Sequence, residues 1–339
     1  MSDLPLVSVI MPVRNEASFI ERSLSAVMRQ DYPPECLEIV FIDGLSNDGT
    51  VALVSQYLSE VKANTPVTPS VYLLDNPKQH MPGAFNLGVQ KASGDIIIVI
   101  GGHCVIEPDY VRQCVGALEA TGADCVGGPM VTVGETTMAK GIALAQSSRF
   151  GVGGVAFRTG RREGCYVDTV AFGAYRREVF ERIGLFDEEL VRNQDDEFNF
   201  RLTQAGGKIW LDPAIRSVYY SRASLSRLWR QYYQYGLYKV RVIQKRQAVP
   251  SWRHLVPAVF VLALLMSLVF SLLTGQRRWL LAVAGPYTLA NGFASLRTAG
   301  ADTAILSFLP LAFATLHFAY GLGFLAGLWH WRNHWGQQS

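Results

Sequence analysis

Charged side chains are spread through this chain as far as Arg253 and then all but disappear. Residues 255–273 and 279–296 carry no charge, and residues 305–329 carry only His317 as a titratable group. The hydrocarbon core of a bilayer takes a helix of roughly 20 apolar residues, so the first and third runs are long enough to span and the second barely reaches that length. The second run also holds Gly285, Pro286, Asn291 and Gly292, which suit either a span or a re-entrant, broken helix. A chain of 339 residues is long for one domain. It is expected to divide into a water-facing part and a membrane part with about three hydrophobic segments.

The first apolar stretch, residues 4–13, ends at Arg14 and Glu16 and reads as a buried strand rather than a signal peptide. Arg227, Arg230, Lys239, Arg241, Lys245, Arg246 and Arg253 precede the first hydrophobic run, against Arg277 and Arg278 after it. By the positive-inside rule this places the N-terminal part in the cytoplasm, at the inner (cytoplasmic) membrane. Residues 224–246 alternate basic side chains with Leu225, Leu228, Trp229, Tyr232, Tyr235, Val242 and Ile243. That pattern suits an amphipathic helix lying in the membrane interface, or one packed on the water-facing domain. A net charge of +3 is too small to argue for nucleic acid; its concentration before the hydrophobic runs points to anionic lipid. Five cysteines without a Cys-x-x-Cys pair fit reduced, mostly structural thiols.

Residues 7–11 and 38–42 are short β-rich runs separated by residues 19–29, whose apolar positions recur at helical spacing. A second unit follows, with a strand over 71–74, a helix over 83–92 and an aliphatic run over 96–100 typical of a strand buried on both faces. Such units build a mostly parallel, Rossmann-like α/β sheet with helices on both faces, and ligands bind at the carboxyl ends of its strands. Beyond those ends lie residues 12–16, 43–50 and 101–103. Further on, Asn193-Gln194-Asp195-Asp196-Glu197-Phe198-Asn199-Phe200-Arg201 crowds carboxylates into an apolar neighbourhood. It reads either as a general-base site or as a solvated helix start whose acids favour the positive end of the dipole.

The order Val7-Ser8-Val9-Ile10-Met11-Pro12-Val13-Arg14-Asn15-Glu16, then Phe41-Ile42-Asp43-Gly44 with residues 46–50, then Gly83-Ala84-Phe85-Asn86-Leu87-Gly88, Ser93-Gly94-Asp95 and the acidic run, resembles the family 2 inverting glycosyltransferases of GT-A fold. Within that family the chain is most similar to the succinoglycan-type exopolysaccharide enzymes. The resemblance implies a donor site at Pro12, Arg14, Glu16, Asp43, Asn86, Gly101 and Gly102. Asp43 would accept from a pyrimidine N–H, and Glu16 or the backbone around Pro12 would meet the ribose. Asp43-Gly44 is also an ordinary turn signal, and Asn86 equally suits a structural hydrogen bond.

The family usually carries Asp-x-Asp or Asp-x-His after the strand at 96–100, where a carboxylate and a divalent ion meet the donor's diphosphate. Here the positions are Gly101, Gly102 and His103. Three readings stand: Mn²⁺ or Mg²⁺ held by His103 and largely by the substrate, a clamp of Arg158, Arg161 or Arg162, or a degenerate site. On the acceptor side the resemblance makes Asp195 the base, with Asp196 its rival. Gln194, Glu197 and Arg201 would flank the acceptor; Asp168 would bind acceptor hydroxyls or form a turn, and Tyr232 would hold the acceptor's lipid diphosphate or serve as a membrane anchor.

These readings give a nucleotide-sugar transferase domain over 1–222, an amphipathic region over 223–253 and a membrane domain over 254–339. The implied enzyme moves a sugar from a nucleotide donor, a UDP-sugar in particular, to a polyprenyl diphosphate-linked glycan. The alternatives are a polyprenyl-phosphate sugar synthase and a non-catalytic nucleotide-sugar-binding subunit.

Overall fold

The structure, a computed structural model, describes residues 4–221 and 224–335. The chain forms two compact units, one from Met1–Val131 and Gly160–Tyr219, the other from Thr132–Thr159 and Tyr220–Ser339. The boundary expected between 222 and 223 falls outside the described residues.

In the first unit the strands are β1 (Val7–Val13), β2 (Leu37–Asp43), β3 (Ser70–Asp75), β4 (Ile96–Val99), β5 (Cys104–Ile106), β6 (Cys125–Gly128), β7 (Met130–Val133, crossing the unit boundary), β8 (Cys165–Tyr166), β9 (Ala171–Arg176), β10 (Ile209–Leu211) and β11 (Ser217–Tyr220, likewise crossing it). The main sheet runs β3-β2-β1-β4-β9-β6-β10-β8. Strands β3, β2, β1 and β4 are mutually parallel. Strand β9 inserts antiparallel between β4 and β6. The α/β class expected from the sequence is therefore observed, with an antiparallel insertion that the aliphatic runs did not announce.

Every residue of β1 and β2 is buried, as a sheet covered on both faces requires. Val7, Val9, Met11, Ile39, Phe41, Ile96 and Ile98 pack in one cluster with Ile20, Leu24, Val27, Val54 and Val111, from the helices Ile20–Met28, Thr50–Asn64 and Tyr110–Thr121. Alternate residues Ile10 and Ile42 meet the helix Met81–Lys91 at Gly88 on the other face. Pro12 sits in β1 beyond its last partner in β4, the pair Ile10 and Val99. Its missing N–H therefore removes no ladder bond on that side. At the opposite end of the sheet, the buried Glu38 carboxylate accepts from Ser8 Oγ (2.5 Å), Ser93 N (2.5 Å), Ser93 Oγ (2.6 Å) and Gly94 N (3.3 Å). Burial pushes this group up, but the hydrogen bonds win and hold it below the usual glutamate value.

The second unit holds the helices Thr137–Ser147, Leu225–Arg246, Val256–Thr274, Arg278–Ala299 and Leu309–His330. Two helical stretches, Trp252–Thr274 and Thr303–His330, are long and apolar enough to cross a membrane. The middle run is a continuous helix that accommodates Pro286, and it falls short of that standard. Leu272 and Leu273 are 75% and 79% exposed, an apolar surface that water does not favour. Leu225–Arg246 packs along Leu309–His330 so closely that a Cβ at Gly236 would lie 2.1 Å from Tyr320 O, and one at Gly323 2.1 Å from Tyr233 O. Small residues permit that approach between helix backbones. The packing buries Tyr232, Lys239 and Arg241, so these side chains belong to the interior of the second unit rather than to an exposed interfacial face.

Candidate active site

The carboxyl ends of β1, β2 and β4 meet at one edge of the first unit, and the turns there are tied together by side chains. Ser46 donates to both oxygens of the buried Asp43, from N to Oδ2 (2.8 Å) and from Oγ to Oδ1 (2.5 Å). Asp43 thus closes the turn after its own strand, and each oxygen keeps a lone pair for a further donor. Asn15 N donates to Ser46 Oγ (2.9 Å), Asn47 N to Asn15 Oδ1 (3.0 Å), Glu16 N to Thr50 Oγ1 (2.9 Å) and Ala17 N to Asp48 Oδ2 (3.0 Å). Arg14 donates to Gln79 Oε1 (2.6 Å) and to the Gln79 carbonyl (3.3 Å). The two loops form one frame.

Asn86 lies outside that frame. Its side chain is buried, donating to the Phe186 carbonyl (2.9 Å) and to Glu188 Oε1 (3.2 Å) and accepting from Phe186 N (2.9 Å). The structural hydrogen bond, one of its two readings, is what the geometry provides.

After β4, Gly101, Gly102 and His103 turn back beneath the first loop. His103 Nε2 lies 2.7 Å from Glu16 Oε1, and the imidazole is flanked edge-on by Phe19 and Tyr219. Glu16 is only 9% exposed, and its Oε2 is buried with no hydrogen-bond partner among the described residues. A Cβ at Gly102 would come within 3.0 Å of Glu16 Cγ, whereas one at Gly101 meets nothing nearer than Phe172 Cε1 at 3.7 Å. Packing is thus tight against a side chain at 102 and leaves room for one at 101. Phe172 itself is held at φ 50° by Tyr110, whose hydroxyl donates to its carbonyl (2.6 Å). A non-glycine residue in that region stores strain of about 1–3 kcal/mol.

The acidic run begins the helix Gln194–Gln204, with Asn193 before it at φ 61°. Asp195 is exposed and Asp196 half-buried. Asp195 Oδ1 accepts from Asp196 N (2.9 Å), so the acids stand in the first turn of a helix, as the helix-start reading expects. Burial foremost, then the neighbouring Cys125 thiol and the Asp195 carboxylate, push the Tyr175 phenol well above its ordinary value. Tyr175 OH donates to Asn199 Oδ1 (2.8 Å), and Asn199 Nδ2 donates to Thr169 Oγ1 (2.9 Å). That chain joins the helix to the loop bearing the exposed Asp168. No role was expected for Tyr175, Asn199 or Thr169, although Asn199 stands four positions after Asp195, on the same helical face.

Glu197 and Arg201, expected beside an acceptor, instead form a pair inside the unit. Glu197 is fully buried, and its oxygens accept from Arg201 Nε (2.8 Å) and Nη2 (3.2 Å). Arg201 also donates to the carbonyls of Ile183 and Leu185. Gln194 is half-buried in the first turn. Tyr232 belongs to the second unit, where Gln146 Nε2 donates to its hydroxyl (3.4 Å). Of the three arginines, Arg161 and Arg162 are exposed on the first unit and Arg158 lies in the second.

The sequence matches the family description Glycosyl transferase family 2 over residues 8–184, which takes in β1, β2, β4, the glycine turn and the loop of Asp168. The chain belongs to glycosyl transferase family 2. It is a glycosyltransferase of mixed α/β GT-A fold. Its relatives include the succinoglycan biosynthesis protein ExoA of Rhizobium meliloti, 36% identical over 74% of this chain and 73% of the relative. A second is the dolichyl N-acetyl-alpha-D-glucosaminyl phosphate 3-beta-D-2,3-diacetamido-2,3-dideoxy-beta-D-glucuronosyltransferase of Methanococcus voltae, 30% identical over 79% of this chain and 82% of the relative. Among solved structures, the mannosyltransferase PcManGT of Pyrobaculum calidifontis, in complex with GDP-Man and Mn²⁺, superposes with a TM-score of 0.60 at 19% identity, over 97% of this chain and 88% of the other.

No group of three or more His, Cys, Asp or Glu side chains able to hold a metal occurs among the described residues. His103 and Glu16, with its unpartnered buried oxygen, nonetheless fit a cation of the kind that takes one or two protein ligands and completes its shell with phosphate and water.

Proposed function

We propose that this family 2 glycosyltransferase is a membrane-bound, inverting enzyme with its catalytic unit in the cytoplasm, at the inner membrane. It moves a sugar from a nucleotide donor, a UDP-sugar in particular, to a polyprenyl diphosphate-linked acceptor in exopolysaccharide or cell-surface glycan synthesis. The observation that carries the reading is the gathering of Asp43, Gly101, Gly102 and His103 at one strand edge, in the same unit as the exposed Asp195. The dolichyl-phosphate chemistry in the name of the Methanococcus voltae relative and the two apolar helical stretches support the lipid-linked acceptor.

In this reading Asp43 accepts from the base of the nucleotide, and the backbone around Pro12 and Glu16 meets the ribose. Backbone N–H groups of Gly101 and Gly102 approach the diphosphate. A divalent cation bound with the donor, as Mn²⁺ is present with GDP-Man in the Pyrobaculum calidifontis mannosyltransferase, would neutralise charge on the leaving group, with His103 among its ligands. Asp195 takes the proton from the acceptor hydroxyl as that oxygen attacks the anomeric carbon, and Asp168 binds acceptor hydroxyls. General-base catalysis of this kind contributes about 10²–10⁴ in rate.

The test is sugar transfer by purified protein from UDP- and GDP-sugars to polyprenyl diphosphate-linked saccharides. Asp195→Asn is expected to lose at least about a hundredfold in kcat while retaining nucleotide. Equal activity of wild type and variant would remove Asp195 as the base. Inactivity of the wild type toward every lipid-linked acceptor, with transfer to a free saccharide, would remove the acceptor class.

A further inference from the structure

The turn after β4 lacks a carboxylate at position 101, yet a carboxylate is present beside it from another strand. Glu16 reaches the turn from the end of β1, with Oε1 2.7 Å from His103 Nε2. Its Oε2 is buried and has no hydrogen-bond partner among the described residues. Leaving a carboxylate oxygen dry and unpaired is costly, and cations relieve that cost more fully than neutral donors do. Glu16 packs closely over Gly102: a Cβ at 102 would lie 3.0 Å from Glu16 Cγ and 3.2 Å from Val13 Cγ1. Position 101 is open by comparison, so packing does not account for the missing acid there.

We propose that Glu16 supplies the carboxylate that position 101 lacks, so that Glu16 and His103 together form a divalent-cation site completed by the donor's diphosphate. The inference rests on the proposed use of a nucleotide-sugar donor. A hard cation with one or two protein ligands gains most of its shell from substrate phosphates and water, and the Glu16 carboxylate is the ligand type that suits Mn²⁺ or Mg²⁺. Binding is therefore weak for the metal alone and strengthened by a nucleoside diphosphate.

Mn²⁺ binding to the full chain in detergent is measured by the loss of the free-ion electron paramagnetic resonance signal, alone and with UDP or GDP. Wild type is expected to bind, and at least one diphosphate to tighten binding tenfold or more. Glu16→Gln and His103→Ala should each weaken it by tenfold or more, with thermal unfolding monitored so that misfolding is recognised. A role for Glu16 only in orienting His103 predicts no further loss on adding Glu16→Gln to His103→Ala; direct ligation predicts a further loss. Gly101→Asp should restore binding to Glu16→Gln. Unchanged binding in folded Glu16→Gln, no further loss in the double variant, or no binding by wild type with either diphosphate would each overturn the proposal. An intact metal site without sugar transfer to any acceptor would instead count against the proposed function and leave this site standing.

Discussion

Asn199 Nδ2 lies 2.9 Å from Thr169 Oγ1, joining the helix that starts at Gln194 to the loop before β9. Because Asn199 also accepts from the buried Tyr175, its removal leaves hydroxyls without their partner. Asn199→Leu is expected to cost about 1–3 kcal/mol, read as a lower unfolding temperature. If the link also fixes Asp195 relative to Asp168, kcat falls by more than the loss of folded protein explains. A variant as stable and active as wild type would show the link to be dispensable.

The Glu197 and Arg201 pair should behave as structure rather than as acceptor recognition. Breaking a buried pair by removing one partner costs about 3–5 kcal/mol. Arg201→Ala leaves Glu197, fully buried, without its cation, and should unfold the first unit in thermal or urea melts. A stable Arg201→Ala with a selectively raised acceptor KM would return the residue to the acceptor site.

Glu38 should set part of the acid limit of stability. Its folded pKa is lowered, so the charged form is favoured by folding. The corresponding stability is fully present above the unfolded glutamate value, about 4.3, and is lost as pH falls through the depressed folded value. Glu38→Gln should lower stability at neutral pH and flatten its decline below about pH 4.3, in melts taken across that range. A wild-type slope retained in the variant would assign the acid limit to other carboxylates.

Gly323→Leu tests the close helix packing of the second unit. A Cβ there would lie 2.1 Å from the Tyr233 carbonyl, so the helices must separate, at about 1–3 kcal/mol for overpacking. Faster proteolysis in detergent is the expected result. Resistance equal to wild type would show that the two helices can part without loss.

Strands β1, β2 and β4 were legible because a strand buried on both faces is written mostly in apolar residues: residues 96–100 are an uninterrupted aliphatic run, and residues 7–11 and 38–42 are apolar apart from Ser8 and Glu38. Strand β9 was not, since Ala171–Arg176 mixes glycine, alanine, tyrosine and arginine and owes its place to pairing with β4 and β6. Lys239 and Arg241 look like surface residues by charge, and only the packing of Leu225–Arg246 shows them buried. Glu197 and Arg201 carry the i,i+4 spacing of a helical ion pair in plain sight, yet their burial depends on distant segments. The frame of Asp43 and the glycine turn could be located from strand ends alone. The pairing of Glu16 with His103 could not, because strand ends bring the two loops to one edge without saying which of their side chains meet.

The segment Thr132–Thr159 leaves the first unit's stretch of chain and belongs to the second, where Ile142 and Ala145 pack with Leu309, Phe313 and Leu316. Cutting the chain after Ser221 would therefore not release a clean catalytic fragment. It would strip that inserted segment of its apolar partners and leave a sticky loop in the middle of the remaining protein. Solubility of such a fragment depends on what replaces those partners: detergent, lipid, or a shortened connection between Val131 and Gly160.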